Sequence, residues 1–528
     1  MRNEFLAFSL ISILVVAAVG YFLWPPMWWS LIVLGPIILL GLYDMTQHQH
    51  AIMRNFPIFG RGRYVMEDLR PKLYQYFIES DTNGAPISRI FRSVVYQRAK
   101  KVLDTTPFGT QLDVYEEGYE WMNHSIGALD AHQLDHDPRT MVGEGLCQQP
   151  YSASLFNVSA MSFGSLSKNA IMALSGGARI GGFAHNTGEG GVSPYHKDPG
   201  GALIYQIGTG YFGARADDGN FSPERFKETA SHPHVKMIEL KLSQGAKPGH
   251  GGILPAKKNT EEISKIRGVK AGTDVLSPPY HKAFSTPEGL LQVLSQMREL
   301  SGGKPVGFKL CIGRRSEFIG ICKAMIKTGL RPDFIAVDGG EGGTGAAPLE
   351  FSNSVGMPFR EGLAFAIDTL QGFDLKKDIK VFASGKIITG FHIFRALAIG
   401  ADATYSARAM MLALGCIQAL ECNTNKCPTG VATQNPELVA GLAVDDKEVR
   451  VANYHQETVE GFVELMAAAG LKKPEQINRS HVFRRVSLNE IRRYDQLFPY
   501  LEPGCLLQEE TVPESWKLIW AEASADRF

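Results

Sequence analysis

The segment 381–433, VFASGKIITGFHIFRALAIGADATYSARAMMLALGCIQALECNTNKCPTGVAT, constrains what this chain can fold into more than any other. It opens with an apolar β-type run that ends in Ser384-Gly385-Lys386, and a helical segment follows over 390–399. A second short run, 403–406, closes on Ala407-Arg408. Strand, phosphate-suited turn, helix, strand, phosphate-suited turn is how the last two units of a (β/α)8 barrel hold a phosphate. Cys416, Cys422 and Cys427 come directly after, spaced C-x5-C-x4-C, with Pro428 behind the last.

Three cysteines with no histidine nearby are one ligand short of a closed zinc site, which takes four. They match the number needed for a three-iron cluster, and a proline after a ligating cysteine is a ferredoxin pattern. Three unrelated buried thiols are the alternative, because cysteine is often a small core residue. Beside two phosphate turns, the triad reads as a flavin barrel carrying its own iron–sulfur cluster.

From residue 154 onward, short apolar runs alternate with helical ones, the pattern of parallel βα units. The expected strands are 154–160, 202–207, 235–240, 305–311, 333–337, 379–383 and 403–406. Expected helices include 286–300, with Thr286 as N-cap and Pro287 in the first turn, then 316–330 and 358–373. Most strand ends carry glycine-rich, chemically equipped loops: MSFGSLS at 161–167, NTGEGG at 186–191, KLSQGAKPGHGG at 241–252 and DGGEGGTGAAP at 338–348. Singly, each is only a turn. In series, they match the use of strand C-terminal ends for catalysis in this fold. The run Gly208-Thr209-Gly210-Tyr211-Phe212-Gly213 also fits G-x-G-x-x-G. No helix opens at its third glycine, which a dinucleotide site requires, so it is expected to be a barrel loop.

These motifs, in this order, resemble the FMN-binding synthase domain of the glutamate synthase large subunit, from about residue 157 to 437. The resemblance implies FMN in the barrel, a [3Fe-4S] cluster on Cys416, Cys422 and Cys427, and 2-oxoglutarate over the flavin. FMN contacts are assigned to Met161, Ser162, Gly164, Ser165, Lys309, Gly342, Gly343, Thr344, Gly345, Ser384, Gly385, Lys386, Ala407 and Arg408. The oxo acid is assigned to Lys241, Gln244, Lys247 and Arg267, the spacing of the last two resembling the family's pocket. Glu189, Lys241 and Gln244 are the catalytic candidates; Glu189 is a proton relay or a loop-capping carboxylate, and Arg267 a carboxylate anchor or a surface helix charge.

The implied reaction is reductive amination of 2-oxoglutarate, through 2-iminoglutarate, to L-glutamate. Electrons come from a donor protein such as a ferredoxin or reductase subunit, and ammonia is free or made by an amidotransferase partner. Departures from the family are an expected absence of the glutaminase domain, since the first cysteine is Cys147, and of the C-terminal β-helix domain. His250 also stands where the family usually has glutamate. The rival readings are an amine or 2-hydroxy-acid dehydrogenase feeding a membrane acceptor, and a non-enzymatic electron-transfer or assembly subunit.

The N-terminus is different material. Residues 5–24 are 20 without a charge, long enough for a hydrocarbon core of ~30 Å. Pro25-Pro26 interrupts, and 27–43 gives 17 more uncharged residues, with Trp24, Trp28 and Trp29 at the turn as interfacial aromatics. No small-residue cleavage site precedes the second span, so a transmembrane hairpin fits better than a signal peptide. Arg2 before the first span and Arg54, Arg61 and Arg63 after the second put both ends and the catalytic body in the cytoplasm, attached to the cell membrane.

The expected architecture is thus α/β: hairpin 1–45, helical extension 46–150 with helices at 64–79 and 87–103, a (β/α)8 TIM barrel over 151–435, and a helical C-terminal segment 436–528 packing on it. Composition excludes little but is consistent. Lys+Arg 54 against Asp+Glu 54 leaves no net charge to attract nucleic acid. Of seven cysteines three cluster and the rest are scattered, an odd set that argues for a reducing compartment rather than a disulfide framework.

Overall fold

A computed structural model describes residues 1–102 and 105–528, which divide into two compact units, Met1–Arg89 and Ile90–Phe528. In the first unit, helix Arg2–Phe22 is followed by a 3-10 turn, Pro25–Ser30, and by helix Leu31–Thr46. By length and composition the spans Arg2–Phe22 and Pro25–Thr46 could each cross a membrane. Leu10, Ile32, Val33 and Leu39 on them are more than 60% exposed. In the last turn of helix Leu31–Thr46, Asp44 is fully buried and gripped by Arg61 Nη2 at 2.6 Å and by the Ile58 N–H at 3.0 Å. The expected helix 64–79 is Gly60–Leu73, extended by one π turn, Tyr74–Ile78.

The second unit is built on eight parallel strands: β1 Phe156–Val158, β2 Ala184–Asn186, β3 Ala202–Ile207, β4 Val235–Lys241, β5 Val306–Leu310, β6 Phe334–Asp338, β7 Lys380–Ser384 and β8 Ala403–Ser406. They pair in sequence order and close, β8 on β1, into a barrel. Each is buried along most of its length, as expected for strands covered by helices outside and side chains inside. The sequence reading missed β2. Its three residues, Ala-His-Asn, offer no apolar run, and the last of them, Asn186, also opens the NTGEGG loop. The helices 286–300, 316–330, 358–373 and 390–399 are present as Pro287–Leu300, Arg315–Thr328, Phe359–Gly372 and Gly390–Ile399. Thr286 accepts the Gly289 N–H at 3.0 Å, the cap expected of it.

One end of the barrel is sealed. A hairpin, Arg139–Val142 with Tyr151–Ser154, places Val142 and Ala153 in one core cluster with Ala184, Ile204, Met237, Phe334, Phe382 and Ala403, at or near the strand starts. The expected strand 154–160 is therefore two strands, one in this hairpin and one in the barrel.

The expected helix 87–103 is Arg89–Lys100; Leu103 lies outside the described residues. Helix Val444–Ala468 lies so close to helix Lys168–Gly181 that a Cβ on Gly177 would sit 2.6 Å from Val451 and 2.9 Å from the Glu448 carbonyl. Residues 436–528 are not helical alone: strands Val482–Ser487 and Glu490–Arg493 form a sheet with Glu120–Met122. Two clusters fasten this segment. Glu120 faces Arg360, Arg395 and Arg484 and accepts the Tyr494 hydroxyl at 2.7 Å. Arg479, fully buried, holds Asp368 through Nη2 at 2.7 Å and donates to the carbonyls of Phe498 at 2.6 Å and Ile399 at 3.3 Å. Burial pushes the Asp368 carboxyl up to about 6 despite the guanidinium.

Removing one partner of such a buried pair strands the other's charge. Arg479→Ala should therefore lower unfolding free energy by about 3–5 kcal/mol, read as a shifted chemical-denaturation midpoint of the full chain. A change below about 1 kcal/mol, the value of an exposed pair, would show that Asp368 is solvated or protonated there.

Candidate active site

Closure of the barrel brings every strand's C-terminal end to one rim, and the charged residues gather there. Lys241 is the last residue of β4, rather than the first of the following loop as the sequence reading had it. Its Nζ donates to Glu189 Oε2 at 3.0 Å and to Gln244 Oε1 at 2.5 Å. Both charges are largely buried, Lys241 10% and Glu189 20% exposed. Burial raises the Glu189 carboxyl, but the charge and hydrogen bond of Lys241, helped by Lys247 and Arg267, outweigh it and hold the group below the usual range. Glu189 is therefore an ionised acceptor at neutral pH.

Lys247 is buried, its Nζ donating to the Ala346 carbonyl at 2.9 Å, and burial brings it down to about 8. Arg267 is not a surface charge. It is 4% exposed, at the end of helix Glu261–Arg267, whose C-cap Gly268 takes a left-handed φ of 63°. Its Nη2 donates to the Phe163 carbonyl at 3.0 Å, its guanidinium lies 5.2 Å from the Phe212 ring centre, and its Nε is buried without a partner. Burial brings it down to about 10, against the opposing charge of Glu189.

The loops interlock at backbone distance. A Cβ on Gly245 would sit 1.9 Å from the Gly339 carbonyl, and one on Gly188 2.9 Å from the Ser162 nitrogen. Within the 161–165 turn, the Met161 N–H donates to the Asn186 carbonyl at 3.0 Å and Ser162 Oγ to Ser165 Oγ at 3.0 Å, while Gly164 has φ 103°. Gln244 Nε2 reaches Thr344 Oγ1 at 3.4 Å. Gly342 packs on Gly245, Gly343 on the Arg408 stem, and Gly345 faces open space.

On the far side, Ser384 ends β7, Gly385 lies against Phe359, and Lys386 follows with φ 52°. Partial burial and the neighbouring Arg408 both lower the Lys386 ammonium. Arg408 follows Ala407, donates to the Glu341 carbonyl at 2.6 Å, and is itself lowered by burial. Two adjacent cations that repel each other fit an anionic group such as phosphate. Lys309, assigned to the cofactor, is paired with Asp338 at 3.4 Å, and Asp338 also accepts the Gly245 N–H at 2.8 Å.

Cys416, Cys422 and Cys427 are all free thiols. Burial pushes Cys416 up to about 12, with Cys422 and Cys427 contributing, and raises Cys422 as well. Cys427 differs. Burial raises it, but Thr429 and the backbone N–H groups of Ala432, Thr429 and Val431 overcome that and favour its thiolate. Among the described residues no three His, Cys, Asp or Glu side chains converge as around a single metal ion.

Sequence reasoning passed over His281. It is 4% exposed and held neutral by burial, which takes it down to about 4. Nε2 faces the Lys241 carbonyl at 2.8 Å and must donate, so bare Nδ1 accepts from the Tyr211 hydroxyl at 3.2 Å. Tyr211 belongs to the 208–213 glycine run, which is a loop with no helix at Gly213 and serves as a brace beneath Lys241. An isolated histidine 40 residues downstream gave no signal of its own.

A sealed parallel barrel with buried, opposed charges and interlocked glycine loops on its open rim is the architecture of a (β/α)8-barrel enzyme. A family model described as the conserved region in glutamate synthase matches residues 105–472. The glutamate synthase large subunit-like protein YerD of Bacillus subtilis (strain 168) is 38% identical over 503 residues, 88% of this chain and 95% of its own. The archaeal glutamate synthase (NADPH) of Methanocaldococcus jannaschii is 36% identical over 337 residues, 63% of this chain and 62% of its own. The glutamate synthase (NADPH) large chain of Bacillus subtilis (strain 168) is 35% identical over 338 residues, 62% of this chain but 21% of its own. This chain belongs to the glutamate synthase family, oxidoreductases acting on CH–NH2 donors. Its match spans less than two thirds of the archaeal enzyme and about a fifth of the large chain.

Proposed function

We propose that this chain reductively aminates 2-oxoglutarate to L-glutamate, using FMN and a [3Fe-4S] cluster. The observation that carries the reading is the charge balance at the rim. Among the described residues, Lys241, Lys247, Lys309, Arg267, Lys386 and Arg408 are set against Glu189, Asp338 and Glu341, and the Arg267 Nε is buried without a partner. Cations that outnumber their carboxylates, with Lys241, Lys247, Lys309 and Arg267 buried, call for anionic ligands. A phosphate beside Lys386 and Arg408 and a dicarboxylate beside Lys247 and Arg267 would supply them.

Condensation of the oxo acid with ammonia forms 2-iminoglutarate and releases water; addition of hydride and a proton then gives glutamate. FMN, when bound, supplies the hydride chemistry. The chain's own residues hold and protonate. Arg267 offers a guanidinium fork to one carboxylate and Lys247 a point charge to the other. Lys241 Nζ, held between Gln244 and the ionised Glu189, is the proton-bearing atom at the base of the site. Cys427, already favouring thiolate, supports the cluster assignment. Three cysteines serving three irons bind one iron each and need not converge on one point.

Ammonia is proposed to arrive free or from an amidotransferase, and electrons from a ferredoxin-like or reductase partner. Residues 1–45 are proposed as a membrane hairpin with a cytoplasmic body, 46–150 as an extension, 151–435 as the synthase domain and 436–528 as a segment packed on it.

The test of the substrate site is titration of the flavin absorbance with 2-oxoglutarate. Arg267→Lys should weaken binding by roughly 2–3 kcal/mol, the scale of a charge-assisted hydrogen bond, with FMN content unchanged; equal affinities would remove Arg267 from the site. Anaerobically purified protein should release FMN on denaturation and carry about three irons per chain. Cys422→Ser should lose the iron and keep the flavin, whereas zinc without iron in the wild type would overturn the cluster. Full-length protein should stay with membranes through a high-salt wash, because apolar spans are insensitive to screening; release by salt would assign the attachment to charge.

A further inference from the structure

Lys258 is a buried cation that the reaction described above does not use. It ends the 3-10 turn Ala256–Lys258 and is 2% exposed. Its backbone position is fixed: neighbouring Asn259 donates through Nδ2 to the carbonyls of Lys270 at 2.8 Å and Thr273 at 2.9 Å. Its Nζ donates to the carbonyl of Ser165, inside the 161–167 turn, at 2.8 Å. Among the described residues no carboxylate pairs with it. Burial brings its ammonium down to about 8, against the opposing pull that thiolates at Cys422 and Cys427 would exert.

The same junction is tied by three further bonds. Asn425, between those two cysteines, donates to the Lys257 carbonyl at 3.2 Å. Gln434 Nε2 donates to the carbonyls of Gly164 at 3.1 Å and Leu166 at 2.8 Å. The cysteine loop, the 161–167 turn and residues 257–258 thus form one packed unit with an ammonium at its centre.

A buried ammonium without a counter-ion is costly. Ligating thiolates, or the cluster they carry, would be that counter-ion. We propose that Lys258 is the positioning cation of the cysteine loop: it neutralises part of the cluster's negative charge and so raises the cluster's affinity for an electron, next to the turn assigned to the flavin. The inference rests on the iron–sulfur reading. The electron step involves no bond making. The cluster accepts one electron from an external one-electron donor, its charge becomes more negative by one, and a fixed cation stabilises the product. Net charge and hydrogen bonding around a cluster are what set its potential.

The experiment is redox titration of the full-length protein, followed by the cluster's electron paramagnetic resonance, with iron and FMN assayed in each sample. Lys258→Met keeps the stem and removes the charge; Lys258→Arg keeps the charge. Lys258→Met should retain about three irons and lower the midpoint potential. At fixed solution potential its oxidised-to-reduced ratio should rise at least tenfold, 59 mV for a one-electron couple. Lys258→Arg should titrate close to wild type. Loss of iron in Lys258→Met but not in Lys258→Arg would also support the proposal, since charge alone separates the two. An unchanged potential in an iron-loaded Lys258→Met, or loss of iron in both variants, would overturn it and leave Lys258 a packing residue. Wild-type protein without iron would instead sink the iron–sulfur reading, an outcome the iron assay separates from the others.

Discussion

Closing eight parallel strands on themselves forces every strand to end on the same rim, and the rest of this molecule follows from that constraint. The opposite end can be sealed with apolar groups, as the Val142–Ala153 hairpin does. The open rim cannot be sealed this way, because eight loops must pass over an area about as wide as a few side chains. They fit only where backbone touches backbone. That is the physical content of the glycine-rich loops: Gly245 against the Gly339 carbonyl, and Gly188 against the Ser162 nitrogen, leave no room for a Cβ.

Crowding on the rim also decides the electrostatics. Lys241 ends β4 and Glu189 lies in the loop after β2, on either side of β3, and the two are taken out of water together. Each keeps its charge because the other is within hydrogen-bond reach. Lys309 is likewise paired, with Asp338 at 3.4 Å, whereas among the described residues no carboxylate forms an ion pair with Lys247 or Arg267. His281 adds rigidity without adding charge, since burial keeps its ring neutral while it fixes the Lys241 carbonyl. Buried cations and a braced lysine would meet an anion with little reorganisation, which is the condition for electrostatic stabilisation to act on a reacting group.

Most of the barrel was legible in the sequence because buried parallel strands read as apolar runs, and seven of eight do so here. β2 did not, because its polar residues are satisfied on both faces rather than presenting an apolar surface: His185 bonds outward to Ser175 of helix Lys168–Gly181, and Asn186 bonds to Glu239 of β4. The chemistry-bearing loops were legible as motifs. Burial was not: Arg267 reads as a helix-surface charge from its own segment, and only the packing of Phe163 and Phe212 around it shows otherwise. The hairpin Val482–Ser487 with Glu490–Arg493 was hidden for a related reason, since its strands are charged and half exposed and draw their stability from Glu120 far upstream.

The position of the cysteines follows from the topology as well. In a closed barrel β8 is the neighbour of β1, so chain leaving the last strand must cross the loop that follows the first. Residues 416–434 do so. The Ser167 N–H donates to the Val431 carbonyl at 2.9 Å, and Gln434 bridges Gly164 and Leu166, about 270 residues away in sequence. A cluster built anywhere else on the chain would need its own path to the rim. The proposed cluster, carried here, would lie beside the turn assigned to the flavin because the barrel closes, and the backbone N–H groups after Pro428 that favour the Cys427 thiolate come from the same stretch that docks the loop. One short segment thus both lowers the Cys427 thiol and ties the cysteine loop to the 161–167 turn.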